Sequence, residues 1–255
     1  MPGPLTDPIA RAAGLIRQAR HAVAMTGAGI STASGIPDFR SPGSGLWTKV
    51  DPRVVASIDG FMRNPRAYYE WRRPLLQTLL HAEPNPAHRA LAELERSGPL
   101  RAVITQNIDG LHQRAGSQRV LEVHGRAREL VCLGCGRLDA DDTRMAEVVD
   151  SGEVPHCARC GGLLKPNVVF FGELLPGDVL AEVEHELQAC DLVIVAGTSL
   201  EVQPACLWPE DAMRHGAKAI VVNFQPTYLD YRADVVIRDD VATVLPAIVA
   251  AMAGK

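Results

Sequence analysis

HAVAMTGAGISTASG, residues 21–35, is a short apolar run that ends at a threonine and then turns through three glycines. An uninterrupted apolar run of this length, closed by glycine, predicts a buried strand at His21–Thr26. Gly27, Ala28 and Gly29, with Gly35, then form a loop whose backbone is able to approach a pyrophosphate and aim N–H groups at it. Similar runs recur at 101–105, 120–124, 191–196, 217–223 and 234–237, most of them β-branched and separated by helix-length segments. This alternation predicts an α/β fold, a Rossmann-like doubly wound parallel sheet with helices on both faces. Ligands bind such sheets beyond the C-terminal strand ends. Gly27 to Ser34, Gln106 to Asp109, His124, Gly197 to Ser199 and Asn223 all fall there. Thr32 stands where the dinucleotide fingerprint has its third glycine, and no acidic residue closes the next strand at the usual distance, which argues against a generic dehydrogenase.

Helical spacing of Ile9, Ala12, Ala13, Leu15, Ile16 and Ala19 predicts an opening amphipathic helix. The stripe returns in Val241, Val244, Leu245, Ile248, Val249 and Met252, where Pro246 predicts a distortion or a helix start. Two stretches interrupt the strand–helix alternation. Residues 43–84 carry Gly43, Gly45, Pro52, Pro65 and Pro74 around a predicted helix at Arg66–Arg73, and residues 126–167 carry the cysteines. The sheet domain is therefore expected to be discontinuous, from residues 1–42, 85–125 and 168–255, with a helical insertion at 43–84 and a zinc-ribbon insertion at 126–167.

Cys132-x-x-Cys135 and Cys157-x-x-Cys160 are separated by 21 residues, with glycines at 134, 136, 161 and 162 for the tight turns. Paired knuckles of this spacing suit four thiolates around one Zn²⁺, and four protein ligands leave no open position, so the ion is expected to be structural. Cys190 and Cys206 lie in apolar surroundings and read as buried thiols.

The chain has 255 residues, 47% hydrophobic and 22% charged, and its formal charge of −4 supplies no positive field for a phosphate backbone. No stretch approaches the ~20 apolar residues of a membrane span, and the first ten residues lack a signal-peptide core. A cytoplasmic protein without nucleic-acid or membrane partners is expected, with metal-binding rather than disulfide-linked cysteines.

Residues 27–40, GAGISTASGIPDFR, together with Thr105-Gln-Asn-Ile-Asp-Gly-Leu-His112, Val123-His-Gly125, Val169-Phe-Phe-Gly-Glu173 and Gly197-Thr-Ser-Leu200, resemble the sirtuin family in content, order and spacing, with the cysteine quartet between the third and fourth motifs. The resemblance spans roughly residues 10 to 250. It implies an NAD-dependent protein-lysine deacylase that converts NAD and an acyl-lysine into nicotinamide, O-acyl-ADP-ribose and free lysine, the acyl oxygen attacking the ribose carbon as nicotinamide leaves. No protein nucleophile is needed, and the sequence shows no serine elbow or base-paired thiolate. His124, at a strand end, is the expected general base, since imidazole titrates near neutrality. Asn107 and Asp109 suit contacts to ribose hydroxyls, the nicotinamide amide or a water, and equally suit an Asx turn capping the next helix. The resemblance assigns a catalytic role to Asn107 and Asp109 beside His124, and NAD contacts to Gly27, Ala28, Gly29, Ser31, Thr32, Ile36, Asp38, Phe39, Arg40, Trp47, Gln106, Asn107, Ile108, Asp109, Gly197, Thr198, Ser199, Asn223, Phe224 and Gln225. His112 is expected to order the following helix.

A substrate peptide is expected as an added strand between two segments with unpaired backbone groups, Val168, Val169, Phe171 and Gly172 on one side, Leu200 and Val202 on the other. Ala56, Tyr69 and Arg72 resemble the family branch that accepts succinyl and malonyl groups, where an arginine fork and a tyrosine hydroxyl pair with the acyl carboxylate. Asp38 departs from that branch, which has threonine there. The competing readings are a protein ADP-ribosyltransferase and a non-catalytic zinc-ribbon module; a monomer is favoured.

Overall fold

The computed structural model describes residues 7–39, 45–46 and 51–253; the expectations for Arg40 and Trp47 lie outside these residues. In chain order, α1 (Pro8–Gln18) leads into β1 (Ala22–Thr26) and a 3-10 helix (Ala28–Ser34), then α2 (Pro52–Val55), α3 (Ile58–Arg63), α4 (Pro65–His81) and α5 (Pro86–Ser97). Then come β2 (Leu100–Thr105), α6 (Leu111–Arg114), β3 (Val120–Glu122), β4 (Gly125–Cys132), β5 (Leu138–Asp139), α7 (Asp142–Ser151) and β6 (Leu164–Val168). The chain continues through α8 (Gly177–Ala189), β7 (Leu192–Ala196), α9 (Trp208–Arg214), β8 (Lys218–Val222), β9 (Val235–Ile237) and α10 (Val241–Ala253).

Six parallel strands in the order β3-β2-β1-β7-β8-β9 form the main sheet. Successive strand residues point to opposite faces, so Ala22, Ala24, Leu192, Ile194, Ile220 and Val222 join one core cluster, and Val23, Met25, Val193, Val195, Ala219 and Val221 the other. Helices α1, α5 and α10 cover the first face, α8 and α9 the second. Burial on both faces is why the central strands read as unbroken apolar runs. The order reverses at β1, from which the chain builds first toward β2 and β3, then on the other side toward β7, β8 and β9. Beyond β1 and β7 the chain departs to opposite faces of the sheet, with Ile30 in one core and Leu200 in the other, and a crevice lies at this switch point. Register aligns its rim: Thr26 pairs with Thr105 and Ala196, and Ala196 with Val222. The residues that follow, Gly27, Gln106, Gly197 and Asn223, thus stand in a row.

The second sheet, antiparallel in the order β5-β4-β6, shares one apolar core with the helical insertion. Phe61, Tyr68, Tyr69, Leu76 and Leu79 pack with Ala127, Leu130, Met145, Val148, Leu164 and Phe170. The two insertions, separate in sequence, are one packing unit beside the crevice. Helix α4 runs past Arg73 and through Pro74 to His81, longer than its apolar spacing predicts. Pro74 and Glu70 are both exposed, so the hydrogen bond that the proline removes lies on an exposed turn of the helix. Likewise α10 starts at Val241, where Asp240 accepts the N–H of Ala242 at 2.9 Å, and passes through Pro246 rather than starting there.

Candidate active site

Beyond the C-terminal strand ends lies a cavity of about 1090 Å³ lined by both halves of the sheet and by the insertions. Backbone contact between the β1 and β7 loops shapes its floor. The Gly29 N–H donates to the Gly197 carbonyl at 2.8 Å, and a Cβ on Gly197, where φ is +63°, would come within 2.3 Å of the Ile30 nitrogen. A Cβ on Gly27 would come within 2.8 Å of Thr198. These glycines let two loops interlock, and that corrects one expectation: the N–H of Gly29 is committed to Gly197, and that of Ile30 to the Gly27 carbonyl, so neither is free to hold a phosphate.

His124 lines the cavity two residues beyond β3. Its Nδ1 lies 3.1 Å from the Gln106 carbonyl oxygen, and because a carbonyl only accepts, Nδ1 carries the proton and Nε2 keeps a lone pair. Burial lowers its pKa below the ordinary imidazole value, against the opposing bond to Gln106. Gly125, at φ +77°, follows because a Cβ there would meet the Asn167 carbonyl at 2.1 Å.

Ser31 joins the two candidates of the Asn107 loop. Its hydroxyl donates to Asp109 Oδ2 at 2.7 Å and accepts from Asn107 Nδ2 at 3.0 Å. Asp109 Oδ1 accepts the N–H of Leu111 at 2.9 Å, so the Asx-turn reading and the cavity placement hold together for this residue. Burial raises the Asp109 pKa, opposed by bonds from Leu111 and Ser31. Beneath this layer the Thr26 hydroxyl meets those of Thr105 at 2.8 Å and the His112 Nε2 at 2.9 Å, which places His112 under the loop as a buried support. Gln106 Nε2 donates to Thr198 Oγ1 at 3.1 Å and ties the two sides of the crevice. Ala28, Thr32, Ile36, Asp38, Phe39, Ile108 and Ser199 also line it, as do Asn223, Phe224 and Gln225 at the far end.

At the opposite end, Ala56, Arg72, Val168, Val169, Phe171, Gly172 and Val202 line the cavity. Tyr69 and Leu200 do not. The Tyr69 hydroxyl donates to the Leu164 carbonyl at 3.0 Å inside the insertion core, and Leu200 packs in the core beneath the sheet. At 3.6 residues per turn, Tyr68 is nearer the Arg72 direction than Tyr69 is, and Tyr68, Arg72, Leu75 and Leu79, with Trp71 beside them, form the lining stripe of α4. That spacing of i, i+4, i+7, i+11 is the sequence signal for the residues missed. Burial raises the Tyr68 pKa, with Arg72 opposing, so its phenol stays neutral. Arg72 is only 5% exposed, its Nε is buried without a hydrogen-bond partner, and its guanidinium carbon lies 5.9 Å from the Trp71 ring centre. The expected peptide edge is also altered: the Phe171 N–H donates to Ala56, its carbonyl accepts from Ile58, and the Val169 N–H donates to His124.

Residues 27–204 match the Sir2 family. The chain belongs to that family. An NAD-dependent protein deacylase 2 of Archaeoglobus fulgidus is 51% identical over 96% of both chains. Among solved structures, one described as a structural basis for the mechanism and regulation of Sir2 enzymes superposes with a TM-score of 0.90 at 50% identity, covering 97% of this chain and 98% of the other. Another, a Sir2 variant with deacetylated p53 peptide and 3′-O-acetyl ADP ribose, superposes at 0.86 and 41% identity, covering 92% and 95%.

The Sir2 chain gathers its four paired cysteines, with all four sulfurs within 4.8 Å of one another. Cys132 and Cys160 Sγ are 3.5 Å apart, Cys135 and Cys157 Sγ 3.9 Å. A tetrahedral Zn²⁺ with bonds of ~2.3 Å has edges of about 3.8 Å, so the donor set fits that ion. Gly162 is required beside it, since a Cβ would come within 3.0 Å of Cys132 Sγ. Cys190 and Cys206 are buried elsewhere, and no helix among the described residues is long and apolar enough to cross a membrane.

Proposed function

We propose that this Sir2 chain is an NAD-dependent protein-lysine deacylase in which NAD enters from the Asn223 end of the cavity and the acyl-lysine from the Arg72 end. The observation that carries this reading is His124, a cavity-lining imidazole whose Nδ1 proton is held by Gln106, which leaves Nε2 as the base. In the proposed reaction the acyl oxygen forms a bond to the ribose carbon as the bond to nicotinamide breaks. His124 then accepts a proton from a ribose hydroxyl, the acyl group moves to that oxygen, and water supplies the oxygen needed to free the lysine. Cavity walls matter because bulk water would otherwise capture the activated ribose. The complex of a relative with a deacetylated peptide and 3′-O-acetyl ADP ribose supports the same product pair. Mass spectrometry of a reaction with NAD and an acetyl-lysine peptide is expected to find nicotinamide, O-acetyl-ADP-ribose and free lysine. A mass gain on the protein component would indicate ADP-ribosyl transfer, and unchanged NAD a binding module; either result defeats the proposal.

One Zn²⁺ held by Cys132, Cys135, Cys157 and Cys160 is proposed to close the ribbon insertion, structural because the thiolates fill its shell. Metal analysis giving other than one zinc per chain would overturn this. Acidic acyl groups are the proposed preference beyond acetyl, with Tyr68 in place of Tyr69 as the partner of Arg72. A buried cation with an unsatisfied donor favours a carboxylate ligand over a methyl group. Arg72→Met is expected to lower kcat/KM on a succinyl-lysine peptide by about 10- to 100-fold, the worth of a charged hydrogen bond, and on an acetyl-lysine peptide by less than about threefold. Equal losses on both peptides count against the assignment.

A further inference from the structure

Among the buried charges outside the cavity floor and the cysteine cluster, Lys165 adjoins the acyl end of the cavity. Lys165 on β6 is 5% exposed. Its ammonium donates to the carbonyls of Pro166 at 3.1 Å and Val168 at 2.7 Å and to Glu173 Oε2 at 3.0 Å, which satisfies its three donors. The Nζ also lies 4.3 Å from the Phe170 ring centre. Glu173 in turn accepts the N–H of Phe170 at 2.8 Å, and its own N–H donates to the Phe170 carbonyl at 3.0 Å. The segment between the two charges, Val168 to Gly172, is the one that lines the acyl end of the cavity. Both ends of the pair thus grip the backbone of that segment, one at Val168, the other at Phe170.

A buried ion pair is weak support for stability, because an apolar replacement of similar volume is often neutral. Its geometric effect is different: two charged groups and three backbone atoms are fixed relative to one another, and the segment leaves β6 with one shape. We propose that the Lys165–Glu173 pair positions the Val168–Gly172 segment for the acyl-lysine peptide, so that it governs peptide binding and leaves NAD binding alone. This rests on the deacylase reading for the identity of the peptide.

Two variants test it, Lys165→Met, which keeps the chain's length and apolar stem, and Glu173→Gln, which keeps shape and removes the charge. In steady-state assays both are expected to raise the KM for an acetyl-lysine peptide about tenfold or more, with kcat and the KM for NAD within about twofold. A parallel rise in both KM values, or no change in the peptide KM, would overturn the proposal. Hydrogen exchange provides a readout that needs no activity: the amides of residues 169–173 are expected to exchange at least tenfold faster in either variant, with those of β7 and β8 unchanged. Unchanged exchange at 169–173 overturns the positioning role. Absence of peptide-dependent nicotinamide release in the parent protein would instead reject the deacylase reading. Should Lys165→Met fail to fold, Glu173→Gln carries the test.

Discussion

Replacing His124 with alanine is expected to lower turnover to free lysine by about 10²- to 10⁴-fold, the usual worth of a positioned general base. The effect belongs to chemistry because the side chain makes one hydrogen bond, to the Gln106 carbonyl, and is half-buried. Losing that bond costs roughly 1 kcal/mol of stability, too little to unfold a domain of ordinary stability. The pH profile gives the same residue a second signature. Burial lowers the His124 pKa, so the neutral, base-competent form persists below the ordinary imidazole value. The acid limb of kcat/KM is therefore expected below pH ~6.5, activity rising with pH through it, and the limb should vanish in the residual activity of the variant. Parent-like turnover by His124→Ala would remove the base from the mechanism and with it the main support for the deacylase reading.

Much of this arrangement is legible in the residues themselves. The central strands β1, β7 and β8 stand out because burial on both faces leaves them as apolar runs, and the end of each run marks where a crevice residue begins, whereas β2 carries the exposed Arg101 and β3 ends in Glu122. Thr26 followed by Gly27, and Ala196 followed by Gly197, mark strand ends in the sequence, whereas the reversal of strand order between them is set by the sheet pairing. The cysteine spacing likewise states its own geometry. Legibility ends where a one-residue difference decides direction. Tyr68 and Tyr69 are adjacent aromatics, and only the helix phase against Arg72 and the Leu164 carbonyl separates a cavity wall from a core packer.

Long-range contacts were equally hidden. Nothing local joins Ser31 to Asn107 and Asp109, which lie more than 70 positions away and meet because β1 and β2 are neighbours in register. The shared core of the two stretches read as insertions was not legible either, since Phe61, Tyr68 and Leu76 meet Leu130, Met145 and Leu164 from far along the chain. Pro74 reads as a helix limit and Pro246 as a distortion or a start, and both helices pass through their proline, since a helix loses a single bond at such a residue and keeps its packing.

Acid is expected to unfold the protein well before most carboxylates titrate, through two histidines that the chemistry does not use. His88 and His112 are buried, with ring centres 4.9 Å apart. His88 Nδ1 accepts the Asn85 N–H in the capping box of α5, and His112 Nε2 meets the Thr26 hydroxyl. Burial, reinforced by Arg89, lowers the His88 pKa to about 4; burial, reinforced by His88, lowers that of His112 to about 3. In the unfolded chain both return to about 6.5, so between these values the unfolded state binds more protons and stability rises with pH. The contribution is complete above pH ~6.5 and is lost as pH falls toward the folded pKa values, at roughly 1.4 kcal/mol per pH unit for each histidine. At pH 4.5 the pair together removes roughly 5 kcal/mol, comparable to the whole stability of many domains. Asp109 and Glu122, whose pKa values burial raises, act in the opposite sense, since their protonation favours the folded state, and they shallow the slope at its acid end. Urea midpoints from pH 7.5 to 4.5 measure the effect, and His112→Leu separates it from acid release of a metal: it removes one titrating group and should cut the slope between pH 6 and 5 by about half while leaving the cysteines untouched. A parent midpoint that stays level from pH 7 to 5, or a variant slope equal to the parent's, would show that these imidazoles are not held neutral by the fold.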